Sequence, residues 1–270
     1  MTIELEESTA ITAAQRLLTA QRTGVTCGPI RDLLSDPADI DSAYRVQRAV
    51  IADRIAAGAR VVGAKIGLTA RVVQEQFGVF QPDFGVLLDD MVYGHGEPIP
   101  RERLLQPRAE GEIAFVLGRD LDRPNASVAD VLRATDFVQP AIEVVDSRIT
   151  GWDLSITDTV ADNASSGVVV LGAAAYSLRD RDLSRIGMVL ERDGEPVSFG
   201  AGHACLGSPV TAVAWLAREL VRREQPLRAG AVVMSGALGP MVPIAGAGRF
   251  RLRLDGLGSV EAVIEQKEDL

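Results

Sequence analysis

The stretch LLQPRAEGEIAFVLG, residues 104–118, decides the fold and contains the first candidate site. From Glu112 onward it is apolar, and residues 112–117 are typical of a buried β-strand. Glu110 and Glu112 stand where this strand begins, so on an extended chain they point to one face, about 6.5 Å apart. Two such carboxylates repel each other and lose hydration, and a divalent cation would remove both penalties. The alternative is a strand end at which both side chains point into water.

A third acid, Glu143, interrupts an apolar segment that is also typical of a strand. A carboxylate in such surroundings is costly unless it is paired or bound to a cation. It either joins Glu110 and Glu112 at a shared metal ion or forms a buried ion pair with an arginine such as Arg108 or Arg148. The residues alone favour neither interpretation, because both satisfy the rule that buried charges are paired.

The histidine and cysteine content limits the kind of metal site that the chain can build. Only His95 and His203, with Cys27 and Cys205, are present. These residues are too few for a zinc-type cluster, and the sequence lacks a Gly-x-Ser-x-Gly elbow, a Walker loop and a dinucleotide-binding glycine loop. Any metal must therefore be held by oxygen atoms, which favours magnesium or manganese.

Two further residues have the chemistry of proton transfer. Lys65 lies between glycines in the strand-like segment VVGAKIGLT, residues 61–69, where burial and a nearby cation would lower its pKa. The alternative is a lysine whose stem packs while its ammonium reaches water. Asp83, in QPDFG, is either a second proton-handling group or an ordinary turn aspartate. A polar loop before residue 167 either lines a pocket or only caps and turns; it contains Asp158, Asp162, Asn163, Ser165 and Ser166.

The bulk composition excludes several classes of protein. The 270 residues are 47% hydrophobic and 24% charged, so the chain can bury a core and is not disordered. A net charge of −9 argues against nucleic-acid binding and means that an anionic substrate would need local positive charge. The N-terminus lacks the features of a signal peptide, and the most apolar run is too short to span a bilayer. With only two cysteines, the chain is predicted to be cytoplasmic, with no membrane or nucleic-acid partner.

Periodicity predicts a helical N-terminal region followed by a β-rich domain, with the change of pattern near residue 60. Since helices do not alternate regularly with strands, the sequence favours an α+β fold over a doubly wound α/β fold. Asp193-Gly194 and Asp255-Gly256 are strong hairpin signals. Helices are expected at residues 9–22, 41–57, 128–135 and 210–223, and strands at 60–67, 137–145, 167–171, 187–192, 231–235, 249–254 and 259–265.

Several segments together resemble the 2-keto-4-pentenoate hydratase branch of the fumarylacetoacetate hydrolase superfamily. They follow one another in order along the chain, which makes the set far more specific than any single motif. Gly202-His203-Ala204 departs from the usual residues of the family, so His203 is given no role. The matching segments are residues 61–69, 81–85, 105–117, 141–149, 158–167, 205–207, 215–218 and 235–241.

The resemblance implies an α+β fold in which a small N-terminal helical region, residues 1–60, precedes a catalytic domain, residues 61–270. That domain would be a mixed β-roll of the fumarylacetoacetase C-terminal type. The resemblance also implies Mg²⁺ or Mn²⁺ bound by the three acids that strand geometry and burial had singled out, Glu110, Glu112 and Glu143. It further implies a catalytic pair and a substrate-binding set, namely Lys65 with Asp83, and Ser165 with Ser166 and Leu68.

The implied activity is that of a hydro-lyase acting on a small anionic 2-hydroxydienoate or 2-oxo acid. Water would add to 2-hydroxypenta-2,4-dienoate, through the 2-oxo-3-enoate, to give 4-hydroxy-2-oxopentanoate in aromatic meta-cleavage catabolism. Lys65 and Asp83 would handle the protons, and the sequence leaves open which of them donates. The resemblance also implies a homo-oligomer, a pentamer or a decamer, and allows a complex with a downstream aldolase or a sister decarboxylase.

Three rival functions share parts of this pattern. A 4-oxalocrotonate decarboxylase has the same metal site, but in that branch the residue matching Asp83 is apolar. An acylpyruvate-type hydrolase is expected to use a Glu-His pair, and no histidine precedes His95. A non-catalytic partner subunit of such a decarboxylase would not need the three acids together with Lys65 and Asp83.

Overall fold

The structure is a computed structural model that describes residues 2–76 and 79–266. Its helices are α1 (Thr2–Thr23), α2 (Ile40–Ala56), α3 (Arg71–Gln76), α4 (Val128–Ala134), α5 (Ile156–Ala161) and α6 (Pro209–Arg222). Its strands are β1 (Val61–Gly67), β2 (Asp83–Leu88), β3 (Val92–Gly94), β4 (Pro98–Ile99), β5 (Arg108–Leu117), β6 (Thr135–Val145), β7 (Ser166–Leu171), β8 (Gly187–Arg192), β9 (Glu195–Ala201), β10 (Val232–Met234), β11 (Val242–Pro243), β12 (Gly248–Leu254) and β13 (Gly258–Ile264).

The strands of this part of the chain form two sheets. The larger sheet has the order β2-β1-β10-β5-β6-β7-β3, with β11 also paired to β5, and the smaller sheet has the order β4-β13-β12-β8-β9. Most neighbours are antiparallel, whereas β1 with β10, β3 with β7 and β4 with β13 are parallel. The sheets are therefore mixed, and the predicted α+β fold with a helical N-terminal region is confirmed.

Strand β5 lies in the middle of the larger sheet and has a different environment on each face. Its odd-numbered residues are buried towards the smaller sheet: a Cβ placed on Gly111 would lie 2.5 Å from Leu252 and 2.8 Å from Met188. Because successive side chains of a strand point to opposite faces, Glu110 and Glu112 must lie on the other face. The packing of the two sheets thus fixes the direction in which both carboxylates point.

Helix α2 connects the N-terminal helical region to the sheet. The ring of Tyr44 stacks on that of Phe84 in β2, with the centroids 4.5 Å apart. The buried side-chain amide of Gln47 donates to the carbonyls of Phe84 and Val160, at 2.9 and 3.0 Å. Helix α2 is thereby bonded to both β2 and α5, and the division of the chain at residue 60 stays a prediction.

The predicted helices and strands are mostly confirmed to within a few residues at their ends, apart from the N-terminal helix, which begins at Thr2. Both hairpins are also confirmed, since Asp193-Gly194 joins β8 to β9 and Asp255-Gly256 joins β12 to β13. The turns form because Asp193, Gly194 and Gly256 tolerate the positive φ angles that they adopt there.

Three local predictions are wrong. The strand that contains Glu112 begins earlier, at Arg108, because Arg108 and Ala109 pair with both β6 and β11. The segment around Asp83 was assigned no strand, yet it opens β2 and pairs with β1. The polar loop before β7 contains α5, whose six residues are too few to show a helical period.

No helix within residues 2–76 and 79–266 combines the length and the apolar character needed to cross a bilayer. The cytoplasmic location stays a prediction from the sequence.

The bonds made by Gln47 generate a stability prediction. Gln47→Ala removes the only side-chain donor that the structure gives to the buried carbonyls of Phe84 and Val160. We expect the free energy of unfolding to fall by about 1–3 kcal/mol, the usual cost of leaving buried polar groups unsatisfied. Urea denaturation followed by circular dichroism measures this change. The matched control is Gln15→Ala on the exposed side of α1, and equal stability of the two variants would contradict the prediction.

Candidate active site

The three suspected acids converge on the face of the larger sheet that lies away from the smaller one. Glu110 in β5 stands directly opposite Glu143 in β6, and Glu112 lies two residues further along β5. Each acid offers one carboxylate oxygen, and these oxygens all lie within 4.8 Å of one another. Glu112 and Glu143 are buried, and the side chain of Glu110 is buried with them although the residue as a whole is partly accessible. Of the three acids, Glu110 therefore lies nearest the surface.

Several oxygen atoms of this site are buried without a hydrogen-bond partner. They are Glu112 Oε1, Glu143 Oε1 and Oε2, Asp83 Oδ1 and Ser165 Oγ. The other oxygen of Glu112 accepts a hydrogen bond from the backbone N–H of Gly236 at 2.9 Å. Unsatisfied carboxylate oxygens are expensive to bury, and a hard divalent cation is the ligand that satisfies several of them at once. In the described residues, this is the one cluster of acids, histidines and cysteines close enough to hold such an ion.

Glu110 and Glu112 have raised pKa values, because both are buried and lie close to other carboxylates. Burial, reinforced by the charge of Glu143, raises the pKa of Glu110 to about 7. Burial and the charges of Glu143 and Glu110 raise the pKa of Glu112 well above its ordinary range, although the Gly236 N–H partly opposes this shift. Without a cation the cluster therefore retains protons near neutral pH, and a bound cation would have to displace them.

Lys65 and Asp83 meet beside the three acids, over the bare backbone of Gly67. The ammonium of Lys65 lies 3.3 Å from Glu143 Oε1. A Cβ added to Gly67 would lie 2.2 Å from Asp83 Oδ1 and 3.4 Å from Lys65 Nζ, so only a glycine leaves room for both groups. Thr159 Oγ1 donates to Asp83 Oδ2 at 3.2 Å and leaves Oδ1 free. The structure thus brings both predicted proton-handling groups to the edge of the carboxylate cluster.

The expected fall in the pKa of Lys65 is wrong for this arrangement. Burial does lower the pKa of Lys65, but four neighbouring carboxylates together raise it above its ordinary value, so the residue is an ammonium. These are Glu143, Asp83, Glu110 and Glu112. Burial raises the pKa of Asp83, and the charge of Lys65 partly offsets that shift.

The arginine pairs offered as the alternative partners of Glu143 do not form. Arg148 makes a buried ion pair with Asp162. Burial raises the pKa of Asp162 to about 6, although the charge of Arg148 opposes this shift. Arg108 stacks on the indole of Trp152, with its Cζ atom 4.2 Å from the ring centroid. The cationic partner of Glu143 is Lys65 instead, which places that acid inside the cluster.

The polar loop before β7 has a structural part and a strained part. Asp158 has a structural role, because it caps α5 and accepts the backbone N–H groups of Ile30 and Arg31 at 2.7 and 2.8 Å. Beyond α5 the residues of the 163–165 turn all have φ angles of 51–55°, which is uncommon for residues other than glycine. Such conformations persist where the surroundings over-determine them, often at functional sites.

Asn163 holds this left-handed turn against β2. Its side chain accepts from the N–H of Val86 at 2.7 Å and donates to the Val86 carbonyl at 2.9 Å, as a neighbouring strand would. The sequence marks Asn163 only as a member of the polar loop that either lines a pocket or caps and turns, and it gives Thr159 no role. The Ser155-x-x-Asp158 capping box was the available signal for a helix here, but no local pattern reveals bonds to β2.

The three residues expected to bind substrate differ in what the structure shows of them. Ser165 is buried with an unpartnered hydroxyl, which suits a ligand-binding group. The hydroxyl of Ser166 is already used, because it donates to the carbonyl of Asn163 at 2.7 Å. Leu68 has a φ of 54° and turns the chain away from β1, and its carbonyl accepts from Gln74 at 2.7 Å. Their contacts with substrate stay predictions.

A cavity of about 440 Å³ adjoins the site on the side of Thr69. Thr69 packs against Gly236, the residue whose N–H bonds to Glu112, so the cavity and the carboxylate cluster share a wall. Phe80 and His203 are among the other lining residues, and Phe80 is 89% exposed. Thr69 thus links the lining of the cavity to the backbone that supports Glu112.

The fold and this acidic cluster define the class of protein. The family model described as fumarylacetoacetate (FAA) hydrolase C-terminal matches residues 57–265. The chain therefore belongs to the fumarylacetoacetate hydrolase family.

Individual relatives identify the branch of the family that the chain resembles. The protein named TodF product hydratase, from Pseudomonas putida strain F1, is 54% identical over 250 residues, which cover 93% of both chains. The 2-keto-4-pentenoate hydratase of Paraburkholderia xenovorans strain LB400 is 52% identical over 256 residues and 95% of both chains. The structure of 4-oxalocrotonate decarboxylase from Pseudomonas putida G7, complexed with magnesium and adipate, matches with a TM-score of 0.91 at 34% identity, covering 96% of this chain and 98% of that one. The resemblance to the hydratase branch is thereby confirmed.

The raised pKa values predict an unusual pH dependence of stability. The pKa of Glu110 is about 7 in the folded protein, against about 4.3 in an unfolded chain. The folded state therefore holds protons that the unfolded state has released, and by linkage the metal-free protein should lose stability from about pH 5 to about pH 8. Mg²⁺ should restore stability at about pH 8 and have little effect at about pH 5. Thermal unfolding with and without Mg²⁺ measures both effects.

Glu112→Gln serves as the control, because it keeps the shape of the side chain and removes one buried charge. At about pH 8 the variant should be more stable than the metal-free parent and should gain nothing from Mg²⁺. Part of the pH dependence should remain, since the raised pKa of Asp162 is unaffected. A Mg²⁺ effect of equal size in the variant would contradict the assignment of these acids.

Proposed function

We propose that this protein is a hydro-lyase that adds water to 2-hydroxypenta-2,4-dienoate, by way of the 2-oxo-3-enoate, to give 4-hydroxy-2-oxopentanoate. The observation that carries the proposal is the meeting of Lys65 and Asp83 over Gly67, beside three converging acids. Relatives of 52–54% identity over nearly the whole chain are named as hydratases, which supports the same activity. The product fits a place in aromatic meta-cleavage catabolism.

We assign one divalent cation, Mg²⁺ or Mn²⁺, to Glu110, Glu112 and Glu143. The site provides only oxygen atoms from these side chains, and hard cations prefer such ligands. When bound, the cation would act as a Lewis acid that stabilises negative charge on the substrate oxygens. The oxygens of Glu112 and Glu143 that accept no hydrogen bond support this assignment, because the single ammonium of Lys65 does not balance three buried carboxylates.

The geometry favours Asp83 as the proton acceptor and Lys65 as the donor. One oxygen of Asp83 is fixed by Thr159 and the other is free, so Oδ1 can accept the proton of a water molecule that attacks C4. Lys65 is held as an ammonium by the surrounding carboxylates and can deliver a proton to the carbon chain of the substrate. Ser165, on its left-handed turn, offers a buried hydroxyl for orienting the substrate.

The sister decarboxylase activity is disfavoured by Asp83. Loss of carbon dioxide needs stabilisation of charge on the 2-oxo group but no base beside the distal carbons. Addition of water at C4 needs both. An acid that is buried, has one free oxygen and stands beside Lys65 is therefore useful only for hydration. A non-catalytic subunit is also disfavoured, because it would bear the cost of these buried charges without using them.

Asp83→Asn tests the hydratase assignment. The amide keeps the size of the side chain but cannot accept the proton of water, so hydration should fall about 10²-fold or more, the usual scale for a general base. Loss of the ultraviolet absorbance of the dienol measures hydration, and carbon dioxide release is followed in parallel. EDTA should abolish the activity of the parent enzyme, and Mg²⁺ should restore it.

The matched control is Asp89→Asn. The carboxylate of Asp89 accepts hydrogen bonds from the backbone N–H and the guanidinium of the exposed Arg60, away from the site. This variant should retain full activity. Full hydratase activity in Asp83→Asn, or release of carbon dioxide by the parent enzyme faster than hydration, would contradict the proposal. Binding of Mg²⁺ by Asp83→Asn, seen as thermal stabilisation, shows that its metal site is intact.

We also propose that the chain forms a homo-oligomer, a pentamer or a decamer. The edge strand β9 exposes Val197 and Phe199, which point to the same face and have exposed fractions of 40% and 64%. An open strand edge with exposed apolar side chains benefits from being covered. Light scattering at micromolar concentration should give a multiple of the 28.7 kDa chain mass, and a mass of 28.7 kDa would exclude the assembly. A complex with an aldolase or a decarboxylase stays a prediction.

A further inference from the structure

Arg108 occupies a position on β5 that the proposed mechanism does not use. It precedes Glu110 by two residues in an uninterrupted stretch of strand, so both side chains lie on the same face of the sheet. Arg108 is partly exposed, whereas Glu112 is buried, so the side chains on this face run from the surface towards the interior. Arg108 therefore lies at the outer end of this row, next to Glu110.

The guanidinium of Arg108 has no carboxylate partner among the side chains that the structure describes. Its one polar contact there is with the sulfur of Met241, at 3.4 Å from Nη1. Other arginines close to this region are paired, as Arg148 is with Asp162. A guanidinium presents five N–H donors in a planar fork that matches a carboxylate, and most of those of Arg108 are unused.

The indole of Trp152, on which Arg108 stacks, is held in a fixed position. Trp152, whose indole lies under the guanidinium, has a φ of 58°, an uncommon conformation for a bulky residue. Gln106 holds it there, because its carbonyl accepts from Trp152 Nε1 at 3.1 Å and its side chain accepts from the N–H of Gly151 at 2.7 Å. Backbone strain that is fixed in this way is characteristic of positions with a function.

We propose that Arg108 binds the carboxylate of the 2-oxo acid substrate and that Trp152 positions its guanidinium for this contact. The inference rests on the proposed function, since it takes the substrate to be an anion of that class. The site holds four acids against the single ammonium of Lys65, and the chain has a net charge of −9, so an anionic substrate gains from a further cation. Arg108 is such a cation, next to Glu110 on the face of the cluster, and it has donors to spare.

The charge of Arg108 has opposite effects on the two ligands of the site. It repels a metal cation near Glu110 and attracts a substrate anion. Its removal should therefore leave Mg²⁺ affinity unchanged or stronger while it weakens anion binding. A residue that only supported the fold would weaken both, so the two affinities separate the roles.

Isothermal titration calorimetry with Arg108→Gln tests the proposal. Mg²⁺ is titrated first, and oxalate, a small analogue of a 2-oxo acid, is then titrated into the Mg²⁺-loaded protein. We expect oxalate to bind about 10- to 100-fold more weakly, the range for the loss of a charge-assisted contact. KM for the dienoate should rise by a similar factor, with a smaller change in kcat. Arg108→Lys should recover part of the affinity, because it restores the charge but not the fork.

Two controls complete the experiment. Arg60→Gln removes the same charge from an exposed arginine whose partner is Asp89, and it should bind oxalate like the parent. Trp152→Ala should weaken oxalate binding, and Trp152→Phe should restore it, because a phenyl ring still supports the guanidinium.

Each result decides between the two proposals. Unchanged oxalate affinity in Arg108→Gln, or an equal loss of Mg²⁺ and oxalate affinity, would overturn the role of Arg108 and leave the proposed function standing. Failure of the Mg²⁺-loaded parent to bind oxalate would overturn the proposed function and this inference with it.

Discussion

The packing of the larger sheet on the smaller one forces three carboxylates onto a single buried face. The other groups of the site compensate the repulsion between these carboxylates. Gly111 stands between Glu110 and Glu112, and its missing side chain lets Leu252 and Met188 approach the back of β5. Neither acid can turn towards the core without displacing those residues. Their mutual repulsion is therefore compensated on the site face, by the Gly236 N–H, by Lys65 and, in the proposed function, by a divalent cation.

The same constraint explains why the surroundings of the site are strained. Asp83 Oδ1 lies over Gly67 only because that residue has no side chain, and Ser165 is presented by a turn of three left-handed residues. Trp152 also has a positive φ, which is uncommon for a bulky residue. Each feature lowers the stability of the fold, and each lies next to a group with unused hydrogen-bonding capacity. The packing of the two sheets stabilises the fold enough to offset these costs, and proteins commonly lose some stability at functional positions in this way.

The parts of the site that follow strand geometry could be predicted, whereas those that depend on tertiary contacts could not. The two-residue period of β5 places Glu110 and Glu112 together, and the apolar setting of Glu143 marks it as a partnered acid. The pKa of Lys65 was predicted with the wrong sign, because its four acidic neighbours come from three different strands. Helix α5 was missed because its six residues are mostly polar or small, and the bonds of Asn163 to β2 join residues 77 positions apart. Pairing at such a distance leaves no local pattern.

The comparison with the decarboxylase structure limits what the backbone can decide. A TM-score of 0.91 at 34% identity means that this chain shares nearly the whole backbone of a protein named for a reaction other than the one proposed here. A shared backbone therefore does not by itself choose the reaction. The choice must lie with side chains that act beyond the acids, where water is either held or absent. In this chain that position is filled by Asp83, whose free oxygen lies over Gly67 and whose other oxygen is fixed by Thr159. Under the proposed function, this oriented oxygen would add the activation of water to a site that otherwise only stabilises charge.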